Sequence, residues 1–264
     1  MTSAGFTAVV LAADRNADDP LVKAAGASCK ALVKIAGTPM LQRVITALQA
    51  STQVDAILLS GPERDQLAGN DDLESLLQSG QISWIQPHNS PSNSAWHAMQ
   101  DLPATTRVLL TTADHPLLTA EIVDHFLAQA LASDADVAVG AISYDVIKEK
   151  FPHAKKTVTR FRDGSYCGCN LFAFLTPEAR KVAAAWRKVE QQRKNPLRII
   201  SQLGWWSVLR YLLGRLTLDQ ALAQLSERLS VTIRPVLLPF PEAAIDVDSI
   251  ADQALVEDIT GTDS

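Results

Sequence analysis

Residues 6–13 read Phe-Thr-Ala-Val-Val-Leu-Ala-Ala, and this stretch decides the fold. Its continuous apolar run, rich in β-branched side chains, predicts a strand over residues 6–12 that is covered on both faces, as in a parallel sheet. A polar loop over residues 14–29 follows and leads to Lys30. Because α/β proteins bind ligands beyond the carboxyl ends of their strands, this loop is a candidate ligand-binding loop.

The segment after this loop predicts a helix. Thr38 is a favourable N-cap, and Pro39 suits the first helical position. Apolar residues then recur at helical spacing, namely Met40, Leu41, Val44, Ile45 and Leu48. The chain is therefore predicted to open with a strand, a long loop and a helix.

The alternation of strands and helices continues through the first half of the chain. Further strands are predicted at residues 55–60, 82–85, 107–112 and 136–141. Before the last of these, residues 119–132 have an amphipathic helical pattern with Thr119 as the N-cap. Strands separated by helices favour a parallel sheet with right-handed crossovers. The loop after residue 112 is therefore a second candidate ligand-binding loop.

Beyond residue 150 the pattern changes. The sequence predicts strands at residues 157–161, 169–174 and 231–238, a mostly helical stretch over 176–229, and a terminal helix that starts at Asp248–Ser249. Pro235 in the last strand favours a sheet edge or a bulge, because proline cannot donate a hydrogen bond to a neighbouring strand. The sequence contains no repeat and no obvious linker, so we predict a single domain over residues 1–264 with a helical insertion at about 176–229.

Composition argues against several classes of protein. The net charge is −5 and the isoelectric point is about 5.5, without a long Lys/Arg run, which argues against a nucleic-acid partner. The N-terminus lacks the basic flank and long apolar core of a signal peptide, so we expect a cytoplasmic protein. An odd number of cysteines predicts reduced thiols. Cys167 and Cys169 fit small strand residues better than half of a zinc site.

The most apolar part of the predicted insertion is residues 203–213, Leu-Gly-Trp-Trp-Ser-Val-Leu-Arg-Tyr-Leu-Leu. It is too short and too interrupted to span a bilayer, so we expect no transmembrane segment. A buried helical hairpin is the default interpretation. A homodimer interface and a contact with a membrane-bound downstream enzyme are the alternatives, because apolar helix faces with Trp and Tyr serve all three.

Three spaced motifs resemble a known family. They are Val9–Ala13 with the following Lys30 and Gly37–Leu41, then Thr111–Pro116, and finally Ala244–Asp252. Together they resemble the signature of MobA-like nucleotidyltransferases and NTP-sugar pyrophosphorylases, and their joint occurrence is far more specific than any one of them. The resemblance covers the chain except for about residues 176–229. It implies an α/β fold of the three-layer, Rossmann-like (GT-A-like) type with a mostly parallel sheet.

The resemblance implies that the first loop binds the phosphates of an NTP. Backbone N–H groups at a strand end can point at phosphate oxygens, which makes Leu11, Ala12 and Ala13 candidate nucleotide-binding residues. Lys30 corresponds to the family's signature lysine, and Arg15 is the candidate loop arginine. Both would be catalytic, because they neutralise the charge that shifts as the α-phosphate is attacked.

Asp14 departs from the family pattern, which has glycine at this position. A carboxylate beside a triphosphate is repulsive unless a metal or another cation lies between them. Asp14 therefore turns away from the phosphates or helps to hold magnesium, or else the chain has lost its activity. We favour retained activity, because the other motif positions are present.

Magnesium is the cofactor that the resemblance implies. Asp114 follows strand 107–112 at the position of the family's metal-binding aspartate, and Asp246 or Asp248 would supply a second ligand. Mg²⁺ usually binds one or two carboxylates together with substrate phosphates. We favour Asp246 as the partner of Asp114 and keep Asp248 as a metal ligand or an N-cap. His115 is expected to be structural, because an acceptor phosphate needs no general base.

Two further regions match the family by chain position. Ser92, Asn93 and Ser94 open a predicted helix where the family binds base and ribose, although a plain N-cap cluster would look the same. The candidate acceptor-binding residues are Lys156, Arg160 and Asn170. Basic side chains suit a phosphorylated acceptor, and a solvated basic hairpin is an equal alternative.

The sequence therefore predicts a nucleotidyltransferase. It would transfer an NMP from an NTP to a small sugar, polyol or cofactor-precursor phosphate, with release of pyrophosphate. A nucleotide-sugar-dependent glycosyltransferase is one alternative, but it would carry Asp-x-Asp where this chain has Asp114-His115-Pro116. A non-catalytic nucleotide-binding protein is the other, and it is suggested by Asp14.

Overall fold

The computed structural model describes residues 5–14, 18–191 and 215–262. The strands are β1 (Phe6–Leu11), β2 (Lys34–Ile35), β3 (Thr38–Pro39), β4 (Val54–Ser60), β5 (Ser83–Ile85), β6 (Arg107–Thr112), β7 (Val137–Ser143), β8 (Thr159–Phe161), β9 (Gly164–Phe174) and β10 (Ile233–Leu237). The helices are α1 (Pro20–Ala25), α2 (Met40–Ala50), α3 (Asp71–Gln78), α4 (Pro91–Asp101), α5 (Ala120–Ala132), α6 (Tyr144–Lys150), α7 (Arg180–Gln191), α8 (Leu218–Leu229) and α9 (Ile250–Thr262). None of these described helices combines the length and apolar character needed to cross a bilayer.

One large sheet organises the chain. Its strand order is β10-β7-β9-β6-β1-β4-β5, and β8 pairs with β9. The pairs β1–β4, β1–β6, β4–β5 and β7–β10 are parallel, whereas β9 runs antiparallel to β6, β7 and β8. The predicted mostly parallel α/β sheet is confirmed. Pro235 lies in β10 at the sheet edge, as its missing N–H predicts.

Helices cover both faces of this sheet. Along β1, Ala8 and Val10 join one apolar cluster, which also contains Phe126 of α5. Val9 faces the opposite way and joins a second cluster, with Met99 of α4. Both faces of β1 are therefore buried, which accounts for its unbroken apolar sequence. The three-layer, Rossmann-like arrangement is confirmed.

Two local predictions near the first loop are wrong. Thr38 does not cap α2, because Thr38 and Pro39 form β3, which pairs antiparallel with Lys34–Ile35, and Pro39 itself occupies the N-cap position. The predicted polar loop also contains a short helix, α1. The carboxylate of Asp19 accepts a hydrogen bond from the Leu21 N–H at 2.8 Å, and the buried Leu21 side chain anchors the helix in the core. Tertiary contacts thus order part of a segment without periodicity.

Helices α7 and α8 lie within the predicted helical insertion. Residues 192–214 between them, including the apolar segment 203–213, lie outside the described residues, as does Arg15. Thr119 caps α5 as predicted, with its hydroxyl accepting from the Ile122 N–H at 3.3 Å.

Candidate active site

The carboxyl ends of β1 and β6 open onto a small cleft. These strands are parallel neighbours, with Leu11 paired to Thr112, and the Ala113 N–H donates to the Leu11 carbonyl at 3.0 Å. The cleft has a volume of about 140 Å³. Its lining residues are Leu11, Ala12, Ala13, Asp14, Asp19, Lys30, Ala31, Pro91, Thr112, Ala113, Asp114 and Asp248. The two predicted ligand-binding loops therefore meet at one place.

Lys30 is the central charged group of this cleft. It begins a short 3₁₀ turn, Lys30–Leu32, whose Ala31 is buried. The Lys30 Nζ donates to Asp114 Oδ2 at 2.8 Å and also contacts Asp248 Oδ1. The Lys30 and Asp114 side chains are about one-fifth exposed, at 20% and 21%, whereas Asp248 is 68% exposed. One cation is thus held between two carboxylates that are far apart in the sequence.

The charges of this cluster favour the ionised forms of Lys30 and Asp114. Burial opposes the charge on Lys30, but the Asp114 and Asp248 carboxylates outweigh burial and raise the Lys30 pKa. Burial likewise opposes ionisation of Asp114, but His115, Lys30 and the Thr112 hydroxyl together hold the Asp114 pKa well below its usual range. Because burial lowers the pKa of His115, that ring is neutral near pH 7.

Asp14 turns its carboxylate toward the protein backbone. Its Oδ1 accepts a hydrogen bond from the Lys30 N–H at 2.9 Å, so Asp14 fixes the start of the 3₁₀ turn. Burial raises the Asp14 pKa above its usual value. A glycine at this position has no side chain to make such a bond. The departure from the family pattern thus supplies a structural contact that positions Lys30.

The C-terminal motif divides its two aspartates between two lysines. Asp248 contacts Lys30, whereas Asp246 pairs with Lys156, whose side chain is only 7% exposed. Between them, the Val247 N–H donates to the Asp114 carbonyl at 2.9 Å and fixes the segment beside β6. The structure therefore places Asp248, rather than the preferred Asp246, against Lys30 and Asp114.

The alternative of Asp248 as an N-cap is wrong. Ser249 takes that position, because its hydroxyl accepts from the Asp252 N–H at 3.3 Å before α9 begins. The Asp252 carboxylate in turn accepts from the Ser249 hydroxyl at 2.7 Å and from the Asp248 N–H at 3.3 Å. The Asp248 side chain is thereby left to face the cleft.

A hydrogen-bond network stands behind Asp114. The Thr112 hydroxyl donates to Asp114 Oδ1 at 2.6 Å. The Asn170 side-chain nitrogen lies 3.3 Å from Thr112 Oγ1 and 2.9 Å from Nε2 of the buried His115. Sequence reasoning missed Thr112, although a hydroxyl two residues before a strand-end aspartate is a recognisable pattern. His115 occupies the structural position predicted for it.

The predicted base and ribose residues lie at the start of α4, where Pro91 lines the cleft. Ser92 and Ser94 are buried, and their hydroxyls contact other protein groups. Asn93 is partly exposed and donates to Asn89 Oδ1 at 2.7 Å. The helix cap itself is Ser90, which the sequence analysis did not single out. Of the three predicted side chains, Asn93 is the one with surface available to a nucleotide.

Among the described residues predicted for the site, Arg160 lies away from Lys30. Arg160 is exposed on β8, where it pairs with Ser165 across the hairpin. Within the described part of the chain, no cluster of three or more His, Cys, Asp or Glu side chains has metal-binding geometry. A metal ion at this site would therefore depend on two carboxylates and on a ligand's own oxygens.

Comparison with known proteins identifies the family. The sequence model described as the MobA-like NTP transferase domain matches residues 8–231. The chain belongs to this family. The MobA-like match includes the first loop and the Asp114 motif, and it ends before Asp246 and Asp248. It establishes the chain as a nucleotidyltransferase.

Solved structures share this fold. The structure called a hypothetical transferase from Thermus thermophilus is 28% identical, covers 94% of this chain and 99% of its own, and has a TM-score of 0.79. CMP-2-keto-3-deoxy-manno-octonic acid synthetase in complex with CTP is 15% identical, with coverage of 98% and 100% and a TM-score of 0.58. A 4-diphosphocytidyl-2C-methyl-D-erythritol synthase is 14% identical, with coverage of 98% and 100% and a TM-score of 0.61. Curated proteins gave no match to this chain.

Proposed function

We propose that this MobA-like protein transfers an NMP from an NTP to a small phosphorylated acceptor and releases pyrophosphate. The observation that carries the proposal is the contact of Lys30 with both Asp114 and Asp248 in the cleft beyond β1 and β6. An oxygen of the acceptor phosphate would form a bond to the α-phosphorus as the bond from that phosphorus to the bridging oxygen of the pyrophosphate breaks. Such a reaction is promoted mainly by positioning and electrostatics.

The donor set fits magnesium. Asp114 and Asp248 contact the same nitrogen atom, so their carboxylates are close enough to share a cation. Mg²⁺ prefers hard oxygen ligands and is commonly held by one or two carboxylates with substrate phosphates completing the shell. When bound, the ion would neutralise charge on the reacting phosphates. Asp114 and Asp248 are the residues that would hold it.

Lys30 would exchange its carboxylate partners for phosphate. Its ammonium is a point charge on a flexible stem, and it can move between nearby anions without changing protonation state. Asp14 holds the Lys30 backbone through a 2.9 Å hydrogen bond, so the ammonium group would move while the Lys30 backbone stays in place. The backbone of Leu11, Ala12 and Ala13 lines the same cleft and would face the triphosphate.

Lys156 is the residue that we assign to the acceptor phosphate. Its buried ammonium pairs with Asp246, two residues before Asp248, which contacts Lys30. The two lysines therefore pair with carboxylates of one short segment. A phosphorylated acceptor beside Lys156 would lie next to the NTP held near Lys30. Arg160 lies on the exposed hairpin and would contribute only to long-range attraction of the acceptor.

The test is a matrix of the four NTPs against sugar, polyol and cofactor-precursor phosphates, read by pyrophosphate release. At least one pair should give magnesium-dependent pyrophosphate, and EDTA should abolish it. Release of free NDP from an added nucleotide sugar, with no pyrophosphate from any NTP, would instead indicate a glycosyltransferase. Magnesium-dependent NTP binding without turnover over the whole matrix would indicate a non-catalytic nucleotide-binding protein.

Asp114→Asn serves as the site variant and Asp145→Asn as the matched control. Asp114 faces Lys30, whereas Asp145 is exposed in the first turn of α6. We expect the first change to lower turnover at least about 100-fold, as for loss of a metal-holding carboxylate, and the second to leave it unchanged. Near-normal turnover of Asp114→Asn, with an unchanged fold by circular dichroism, would overturn the assignment.

A further inference from the structure

Asn170 lies at an interruption of β9, and its side chain contacts Thr112 and His115. The regular pairing of β9 with β7 shifts between Val139 and Ala141. Asn170 has a φ of 51°, in the left-handed region that few residues other than glycine adopt. Irregularities of this kind redirect a side chain that a regular strand would point elsewhere.

The redirected amide has a fixed direction of hydrogen bonding. An amide nitrogen carries two N–H donors and accepts nothing. Its neighbours are Thr112 Oγ1 at 3.3 Å and His115 Nε2 at 2.9 Å, so both of these atoms accept. The single hydroxyl proton of Thr112 is then directed to Asp114 Oδ1, at 2.6 Å.

This arrangement orients the Asp114 carboxylate. Thr112 holds Oδ1, which leaves Oδ2 directed at Lys30. In this arrangement both side-chain N–H groups of Asn170 donate to protein atoms. A phosphorylated acceptor therefore meets no free donor on this amide nitrogen, and the amide oxygen would repel a phosphate.

We propose that Asn170 is a positioning residue for nucleotidyl transfer, which acts through Thr112 on Asp114 and does not bind the acceptor. The inference rests on the proposed function, because it takes Asp114 as the carboxylate that holds the metal and the NTP phosphates. Groups that orient a metal-binding carboxylate commonly change metal affinity or activity by about 10- to 100-fold when removed.

The first measurement is retention of Mn²⁺ by the protein in the presence of inorganic pyrophosphate, determined by equilibrium dialysis against the same pyrophosphate solution without protein. This probe requires neither the correct base nor the acceptor. Asn170→Gly removes the amide while permitting the positive φ. Thr112→Val removes the hydroxyl at similar size, and Thr112→Ser restores it.

We expect Thr112→Val to weaken Mn²⁺ retention by about tenfold, Asn170→Gly to weaken it to a smaller extent, and Thr112→Ser to be near wild type. Because Asn170 acts through Thr112, adding Asn170→Gly to Thr112→Val should cause no further loss. With the active substrate pair, Asn170→Gly should lower kcat and leave the acceptor KM unchanged. Thermal melts of every variant verify the fold.

Additive effects of the two substitutions would overturn the proposal. So would an Asn170→Gly variant with normal Mn²⁺ retention and a raised acceptor KM, which is the behaviour of a direct acceptor contact. A third outcome separates the two proposals. If the wild-type chain retains Mn²⁺ and the variants retain it less tightly, but no pyrophosphate is released, the positioning role is supported and only the proposed reaction is overturned. A wild-type chain that retains no Mn²⁺ would overturn both.

Discussion

At the scale of single residues, the charge of the site depends on one lysine. Lys30 contacts Asp114 and Asp248 through its ammonium group and Asp14 through its backbone N–H. Its side chain is largely buried, so solvent screens the pair with Asp114 less than it screens a surface ion pair. Removing the ammonium group would leave the largely buried Asp114 carboxylate without its cation partner.

This pair predicts a defined pH dependence of stability. The Asp114 pKa is lowered from 3.8, so its contribution is present above pH 3.8 and is lost as the pH falls through the folded-state pKa. The Lys30 pKa is raised from 10.5, so its contribution is present below pH 10.5 and is lost as the pH rises further. We expect Lys30→Met to lower the free energy of unfolding by about 1–3 kcal/mol between pH 5 and 9. The difference should narrow below pH 3.8 and above pH 10.5.

Urea unfolding at a series of pH values measures this difference. Lys23→Met is the matched control, because the Lys23–Asp18 pair is exposed, at 65% and 82%. Exposed pairs contribute little, so the control should change stability only slightly at every pH. If Lys30→Met and the control behave alike near pH 7, the pair does not stabilise the fold.

Gly61 packs closely against the first loop at Ala13. Gly61 follows β4 with a φ of +77°, and a Cβ at this position would lie 2.9 Å from Ala13 Cβ and 3.0 Å from Ala13 N. Gly61→Ala should therefore cost about 1–2 kcal/mol for the backbone conformation and more for the displaced loop. Because Ala13 lines the cleft, pyrophosphate release should fall as well.

Gly69→Ala separates these two effects. Gly69 has a similar φ of +84°, but a Cβ there would meet nothing within 4 Å. Thermal melts should show a smaller loss of stability for Gly69→Ala than for Gly61→Ala, with normal turnover. Equal effects of the two substitutions on both stability and turnover would contradict a role for Gly61 under the loop.

At the scale of elements, β9 is inserted antiparallel between β6 and β7. Cys167 and Cys169 lie on β9, buried and unbridged, as the cysteine count predicts. Burial raises the Cys169 pKa to about 12, so the thiol is an inert packing group near neutral pH. The position of β9 between β6 and β7 places Asn170 beside Thr112. This strand order and direction could not be predicted from the sequence, because hydrophobic periodicity does not depend on strand direction.

The close packing of β7 on β9 depends on Gly140. A Cβ at this position would lie 2.5 Å from Cys169 Sγ and 3.2 Å from Leu171 Cβ. Gly140→Ala should therefore lower the free energy of unfolding by about 1–3 kcal/mol through overpacking. In a Cys169→Ala background the nearest atom is gone, so the same change should cost less. Urea unfolding of the four proteins measures the coupling, and purely additive losses would show that Sγ is not the obstacle.

At the scale of the whole molecule, the sheet assembles the site. Asp14 and Lys30 follow β1, Asp114 follows β6, and Asp248 arrives from the segment after β10. Lys30 and Asp114 are 84 positions apart, and Lys30 and Asp248 are 218 apart. They meet because β1 and β6 are parallel neighbours and their carboxyl ends open on the same side of the sheet.

Much of this arrangement could be predicted from sequence. The apolar run of β1, the cap at Thr119, the edge position of Pro235 and the family motifs all rest on local chemistry, which a linear pattern records. Local chemistry also misled, since Thr38 has the properties of a helix cap and yet pairs with Ile35. The hairpin of β2 and β3 depends on backbone pairing, which the preferences of single residues do not predict.

The sequence by itself determined the alternation of strands and helices, the family, and the residue types of the site. The pattern of apolar residues and the spacing of motifs are properties of the linear chain, which is why they could be read from it. Only the tertiary structure decided that Asp248 and not Asp246 meets Lys30, and that Asp14 binds the Lys30 backbone. The physical reason is that neighbouring carboxylates have the same local preferences, and only the placement of the partner cations in three dimensions distinguishes them.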